Sequence, residues 1–212
     1  MRPRVGKKRS ASSKRWLAEH EADPYVQRAR AEGWRSRAVY KLAELDERDG
    51  LLRAGSTIVD LGAAPGGWSQ YARRRLGDRA RIFALDILDI EPIEGVHFIQ
   101  GDFREESVLQ EFEALLGNAE IDLVLSDMAP NLSGVDVADQ VGSVHLAELA
   151  LMFARERLRP GGNFLTKVFQ GEGFDTYLKE VRESFDKVMI RKPKASRPRS
   201  REVYLFGKSH RS

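Results

Sequence analysis

Four charged residues stand where an ionised group is hard to accommodate. Lys167 lies inside the apolar run NFLTKVF, Asp127 closes VLSD, Glu202 opens EVYLFG, and Lys41 falls in the helical run after Ser36. A lysine is almost never fully buried without a partner. One in an apolar strand therefore either snorkels from the strand's end or has a chemical task. Asp127 ends the adjoining predicted strand and is its natural partner. An antiparallel last strand starts at the edge where its parallel neighbours finish, which brings Glu202 toward Lys167. Lys41 completes a Lys–Asp–Lys–Glu cluster, although a lysine on a helix surface is more often simply solvated. Such a cluster suits removal of a proton from a weak nucleophile.

A second set of residues could hold a ligand. The run IVDLGAAPGGWSQ, Ile58 to Gln70, is an apolar strand ending in an acid and a glycine, followed by a Gly/Pro turn that opens a helix. A strand–turn–helix junction of this kind presents free backbone N–H groups and a positive dipole end. Asp60, Asp86, Asp102 and Asp127 end or follow four successive predicted strands. Any one of them could be a turn former, yet ligands of open α/β sheets collect beyond those strand ends. Asp86 stands twenty residues past Gly66, the spacing at which a carboxylate accepts both hydroxyls of an adenosine ribose. The glycines, however, form neither G-x-G-x-x-G nor a P-loop. An adenosine ligand without a pyrophosphate fits better, which points to S-adenosylmethionine and away from a nicotinamide oxidoreductase. Its amino-acid end could rest on the Gly66–Trp68 helix start, and Asp102 could bind the adenine amino group. Trp68 is also a natural core residue.

Donor and cluster together suit methylation of a ribose 2′-hydroxyl, whose in-line attack on a sulfonium methyl needs a proton acceptor. Lysine can serve only when neutral, against an ordinary pKa of about 10.4. Lys41 would favour the neutral form of Lys167, whereas Asp127 and Glu202 would oppose it. The sequence Asp127-Met128-Ala129-Pro130 lacks the Asn/Asp-Pro-Pro-aromatic pattern of base amino-group methylation, so oxygen is the better acceptor.

The elements that must position these residues follow from hydrophobic periodicity. Strands are predicted at about 57–61, 81–86, 96–100, 121–126, 162–168, 187–191 and 202–207, and helices at about 24–32, 36–48, 66–75, 104–116, 140–157 and 174–184. Strands alternating with helices imply a largely parallel sheet covered on both faces. The last two strands are too close for a helical crossover and should pair antiparallel. Residues 1–22 read as a basic, flexible arm and 23–212 as one domain, with no internal repeat.

Composition narrows the setting. The chain has 212 residues and no cysteine, which excludes disulfides and thiol catalysis. With four histidines and no cysteine, a metal site is not expected. No apolar run approaches the ~18 residues of a membrane span, and the basic start lacks the apolar stretch of a secretory signal. A cytoplasmic monomer is expected. The net charge of +3 hides an asymmetry: residues 1–41 and 187–212 carry +8 each, leaving −13 between them. Two basic ends, with Trp16, Tyr25 and Trp34 interleaved in the first, suggest a nucleic-acid partner.

The motifs KKRSASSKRWLAEH, RSRAVYKL, DLGAAPGGWSQY, QGDF, SDMAPNLSG, KVFQGEGF and SRPRSREVYL occur in that order. On them the chain resembles the FtsJ/RrmJ family of ribosomal RNA 2′-O-ribose methyltransferases over nearly its whole length. The resemblance implies a Rossmann-like class I methyltransferase with a seven-stranded, mostly parallel sheet and an antiparallel last strand. It implies S-adenosylmethionine as donor, with contacts from Gly66, Trp68, Asp86, Asp102 and Asp127. It places a catalytic tetrad on Lys41, Asp127, Lys167 and Glu202, with Lys167 as proton acceptor. The implied substrate is a uridine in the A-loop of 23S rRNA within the large ribosomal subunit. Transfer RNA is the alternative substrate, and a non-catalytic ribosome assembly factor the alternative role.

Overall fold

A computed structural model describes residues 21–130 and 136–211. The basic arm expected over 1–22 falls almost wholly outside the described residues, as does the NLSG part of SDMAPNLSG. The described chain runs α1 (Pro24–Ala31), α2 (Val39–Asp49), β1 (Thr57–Leu61), α3 (Gly67–Leu76), β2 (Arg81–Asp86), β3 (Val96–Gln100), α4 (Glu106–Leu116), β4 (Ile121–Ser126), α5 (Asp136–Arg157), β5 (Leu158–Phe169), α6 (Phe174–Ser184), β6 (Phe185–Arg191) and β7 (Glu202–His210). The strands form one sheet in the order β3-β2-β1-β4-β5-β7-β6. β1 to β5 are parallel, and β7 is inserted antiparallel between β5 and β6.

Local chemistry sets the boundaries. Asp23 caps α1, its side chain accepting from the Tyr25 N–H at 3.0 Å, and Pro24 occupies the first turn, where its missing N–H costs nothing. β1 is buried at all five positions, as a strand covered on both faces must be. Alternate side chains point to opposite faces of the sheet. Val59, Leu61, Phe83 and Val124 join Phe112 of α4, Ala150 of α5 and Tyr177 of α6 in one core. Ile58, Ile82, Leu125, Leu165 and Phe206 join Leu42 and Leu45 of α2 and Ala72 of α3 in the other.

This alternation decides where the charged residues go. Asp60, Asp86, Asp127 and Lys167 share parity with Ile58, Ile82, Leu125 and Leu165, and Glu202 shares parity with Phe206. All five therefore belong to the α2/α3 face, at the edge where the parallel strands end and β7 begins. Helix α2, which carries Lys41, covers that face.

Candidate active site

The lysine of the apolar strand is 7% exposed and does not snorkel. Lys167 Nζ stands 3.0 Å from Asp127 Oδ1 and donates to the Asp127 main-chain oxygen at 2.6 Å. Across the β5–β7 ladder Lys167 pairs with Tyr204, whereas Glu202 pairs with Phe169. The Tyr204 hydroxyl donates to Asp127 Oδ1 at 2.8 Å. Glu202 accordingly closes on the helix above: its ion-pair partner is Lys41, with Oε1 2.6 Å from Nζ. The Lys41 ammonium also lies 5.7 Å from the centre of the Tyr204 ring. The four residues come together as two ion pairs joined through Tyr204, a residue that sequence reasoning missed. The period-2 pattern of EVYLFG, which puts Tyr204 on the face of Glu202, was the signal for it.

The electrostatics favour ionised carboxylates here. Burial alone would lift the Asp127 carboxyl, but the Lys167 and Lys41 charges and the Tyr204 hydroxyl outweigh it and hold the group below the usual carboxylate range. Burial likewise works against ionised Glu202, and the Lys41 charge and hydrogen bond prevail. Tyr204 is pushed well above its ordinary value by burial, with Asp127 and Glu202 adding to the effect. It therefore keeps its proton and remains a donor.

Beside this cluster lies a pocket of about 410 Å³ at the strand ends, lined by Gly62, Ala64, Asp86, Asp102, Asp127 and Met128 among others. Asp86 is fixed by two backbone bonds, Oδ2 accepting from Ala64 N and Oδ1 from Leu88 N, both at 2.8 Å. Each oxygen keeps further acceptor capacity for a ligand. Asp102 is held by Arg104, whose Nη2 lies 2.6 Å from Oδ2, and this contact lowers its carboxyl. Its expected contact with an adenine amino group would share the carboxylate with that arginine.

Gly66 and Trp68 are not among the residues lining this pocket. Trp68 is 3% exposed. Its indole donates to Ala38 O at 2.8 Å and packs 5.8 Å from the Tyr204 ring. That ring is core, at the head of α3, a helix whose N-terminus has no side-chain cap. Asp86, in the pocket wall, fits a donor that carries a ribose. No group of three or more metal-ligating side chains occurs among the described residues, and no described helix is long and apolar enough to cross a membrane.

Comparison with known proteins identifies the family. The family model described as FtsJ-like methyltransferase matches residues 34–210. The chain is 62% identical over 204 residues to the ribosomal RNA large subunit methyltransferase E of Stenotrophomonas maltophilia, covering 96% of this chain and 97% of that protein. It is 58% identical to the protein of the same name from Dechloromonas aromatica, covering 96% of this chain and 100% of that one. A crystal structure described as a ribosomal RNA methyltransferase from Plasmodium falciparum superposes with a TM-score of 0.75 at 30% identity, covering 84% of this chain and 98% of that one. The strand order, the pocket at the strand ends and the matched length lead to one assignment: the chain belongs to the FtsJ-like methyltransferase family.

Proposed function

We propose that the protein transfers a methyl group from S-adenosylmethionine to the 2′-hydroxyl of a uridine in the A-loop of 23S rRNA, acting as a cytoplasmic monomer on the large ribosomal subunit. The observation that carries this reading is that Asp127 belongs to both halves of the site. It lines the pocket and it holds Lys167. The names of the relatives, large-subunit ribosomal RNA methyltransferases, support the substrate. The bound donor would supply an electrophilic sulfonium methyl. Asp86 would hold its ribose, Asp102 its adenine and the Gly66–Trp68 helix start its carboxylate.

Lys167 accepts the proton that the 2′-hydroxyl loses as its oxygen takes the methyl. Once the Lys167 ammonium has released one proton to solvent, the amine has two N–H bonds and one lone pair. The two acceptors of Asp127, its carbonyl and its Oδ1, engage both N–H bonds and leave the lone pair for the substrate. Asp127 also stabilises the ammonium that forms. The Glu202–Lys41 pair holds a second cation over the Tyr204 ring, beside the Asp127 carboxylate. Tyr204 fixes Oδ1 so that the Asp127 carboxylate cannot turn away.

The test is to map 2′-O-methyl sites in 23S rRNA from cells lacking the protein and from cells complemented with wild type or Lys167→Ala. We expect one A-loop uridine to lose its methyl, wild type to restore it and Lys167→Ala to fail, with turnover down by at least about 10²-fold. The purified variant should still bind S-adenosylmethionine. Near-wild-type turnover in Lys167→Ala would refute the role given to the lysine, and an unchanged A-loop would refute the substrate.

A further inference from the structure

Arg35 stands half-buried between α1 and α2, six residues before Lys41. Its guanidinium donates to three main-chain carbonyls: Pro92 O at 2.9 Å, Pro65 O at 3.4 Å, and Glu91 O. Pro65 belongs to the turn after β1. Glu91 and Pro92 belong to the loop that follows Asp86, the last residue of β2. Asp86 ties the same two segments through Ala64 N and Leu88 N. Turn and loop are thus joined twice, once by a carboxylate accepting from N–H groups and once by a guanidinium donating to carbonyls.

The arginine is itself held from behind. Its main-chain N–H donates to Gln70 Oε1 at 3.0 Å, and Gln70 Nε2 donates to Gly33 O at 3.1 Å, so its backbone is fixed to α3. A side chain on Gly66 would come within 3.2 Å of Arg35 Cδ and Nη1, so the turn lies close against the arginine. Nη1 reaches both segments and Nη2 adds Pro92 O, so the planar fork holds three carbonyls at once, where the single nitrogen of a shorter lysine reaches fewer.

We propose that Arg35 is a positioning residue for the methyl donor, setting the separation of the Gly/Pro turn from the β2–β3 loop and hence the width of the pocket between Ala64 and Leu88. This rests on the donor-site reading above, and Arg35 acts through the two loops without touching the donor. Calorimetry with S-adenosylhomocysteine and steady-state kinetics with S-adenosylmethionine and RNA, on wild type, Arg35→Ala, Arg35→Lys and Arg74→Ala, test it. Arg74 donates to Glu32 O and Gly33 O, away from both loops, and serves as the structural control.

Arg35→Ala should weaken S-adenosylhomocysteine about tenfold and raise the KM for S-adenosylmethionine alike, the effect of losing charge-assisted bonds that shape a site. Its kcat at saturating donor and its KM for RNA should stay within about twofold, a split that general destabilisation does not produce. Arg35→Lys should recover only part of the affinity, and Arg74→Ala should lose none. Wild-type S-adenosylhomocysteine affinity in both Arg35 variants would overturn the proposal. So would a rise in the KM for RNA alone, which would make Arg35 a phosphate contact. Failure of the wild-type protein to bind S-adenosylhomocysteine would instead refute the donor reading itself.

Discussion

Asp60 ends β1 with 1% exposure, and its two carboxyl oxygens are treated differently. Oδ2 accepts from Ser69 Oγ at 2.7 Å, whereas Oδ1 has no hydrogen-bond partner among the described residues. Burial, with the charges of Asp127 and Asp86 nearby and Ser69 opposing, pushes its pKa up from 3.8 to about 7. Below pH 4 both folded and unfolded chains carry the proton. Between pH 4 and 7 the unfolded chain releases it while folded Asp60 retains it, so stability falls as pH rises, and the loss is complete above pH 7. Asp60→Asn cannot ionise and keeps an acceptor for Ser69. It should be more stable than wild type at pH 8 by about 1–3 kcal/mol, or roughly 2–4 °C in Tm per kcal/mol, and the gap should close near pH 4. Thermal melts at the two pH values measure this. A difference independent of pH, or one of opposite sign, would contradict the assignment. Among the charged residues, Lys167 was legible because a lysine in an apolar strand demands an explanation. The division of the cluster was not: Glu202 meets Lys41 rather than Lys167, because ladder register depends on contacts far apart in sequence. Arg35 opens the RSRAVYKL motif, yet nothing there gave its role, since its partners are main-chain carbonyls, which every sequence supplies.

At the scale of elements, the interior of each strand and helix could be read from periodicity, whereas the ends depended on tertiary context. β5 was expected from 162 and begins at Leu158. Arg159-Pro160-Gly161-Gly162 reads as a turn, yet it is accommodated by a register shift opposite Ile121–Leu123. α5 was expected from 140 and begins at Asp136. The turn after β1 shows what a glycine contributes that periodicity cannot display. Gly62 has φ +75°, and a Cβ there would lie 2.9 Å from both the N and the Cα of Met128, the residue after Asp127. Gly117 also has a positive φ, +54°, with nothing within 4 Å. Gly117→Ala therefore meets backbone strain alone and should cost about 1–3 kcal/mol. Gly62→Ala meets that strain and must also move the Asp127–Met128 backbone. It should lose clearly more stability and, in whatever fraction folds, at least about tenfold in kcat, because small displacements of positioned groups are costly in rate. Denaturant unfolding and single-turnover kinetics of the pair would separate the two effects. Equal losses of stability with unimpaired turnover would show that Met128 yields freely.

Across the whole molecule, the fold brings the β6–β7 connection against the N-terminal helices, among the described residues. The β6–β7 connection carries Lys192, Lys194, Arg197, Arg199 and Arg201. It is tied to the N-terminal helices by Lys194 N to Glu44 Oε2 at 2.8 Å, by Arg37 to Ala195 O, and by Asp23, which lies 2.6 Å from Arg37 and 3.7 Å from Arg197. The connection runs directly into Glu202 and the helices into Lys41, so both basic segments border the candidate catalytic cluster. On the proposed reading, an RNA lying there meets cations from both ends of the chain, while the acidic centre supplies the pocket. Phosphate contacts release counterions, and each one steepens the fall of log K against log salt by about 0.7–0.9. Replacing Lys7, Lys8 and Arg9 by glutamine should therefore weaken RNA binding and flatten that slope by about 2–3, with affinity for S-adenosylhomocysteine unaffected. Lys179→Gln, on the opposite face and beside Glu183, should leave the slope as it is. Binding isotherms at several salt concentrations decide the matter, because an arm that acts only in folding would lower affinity equally at every salt and leave the slope unchanged.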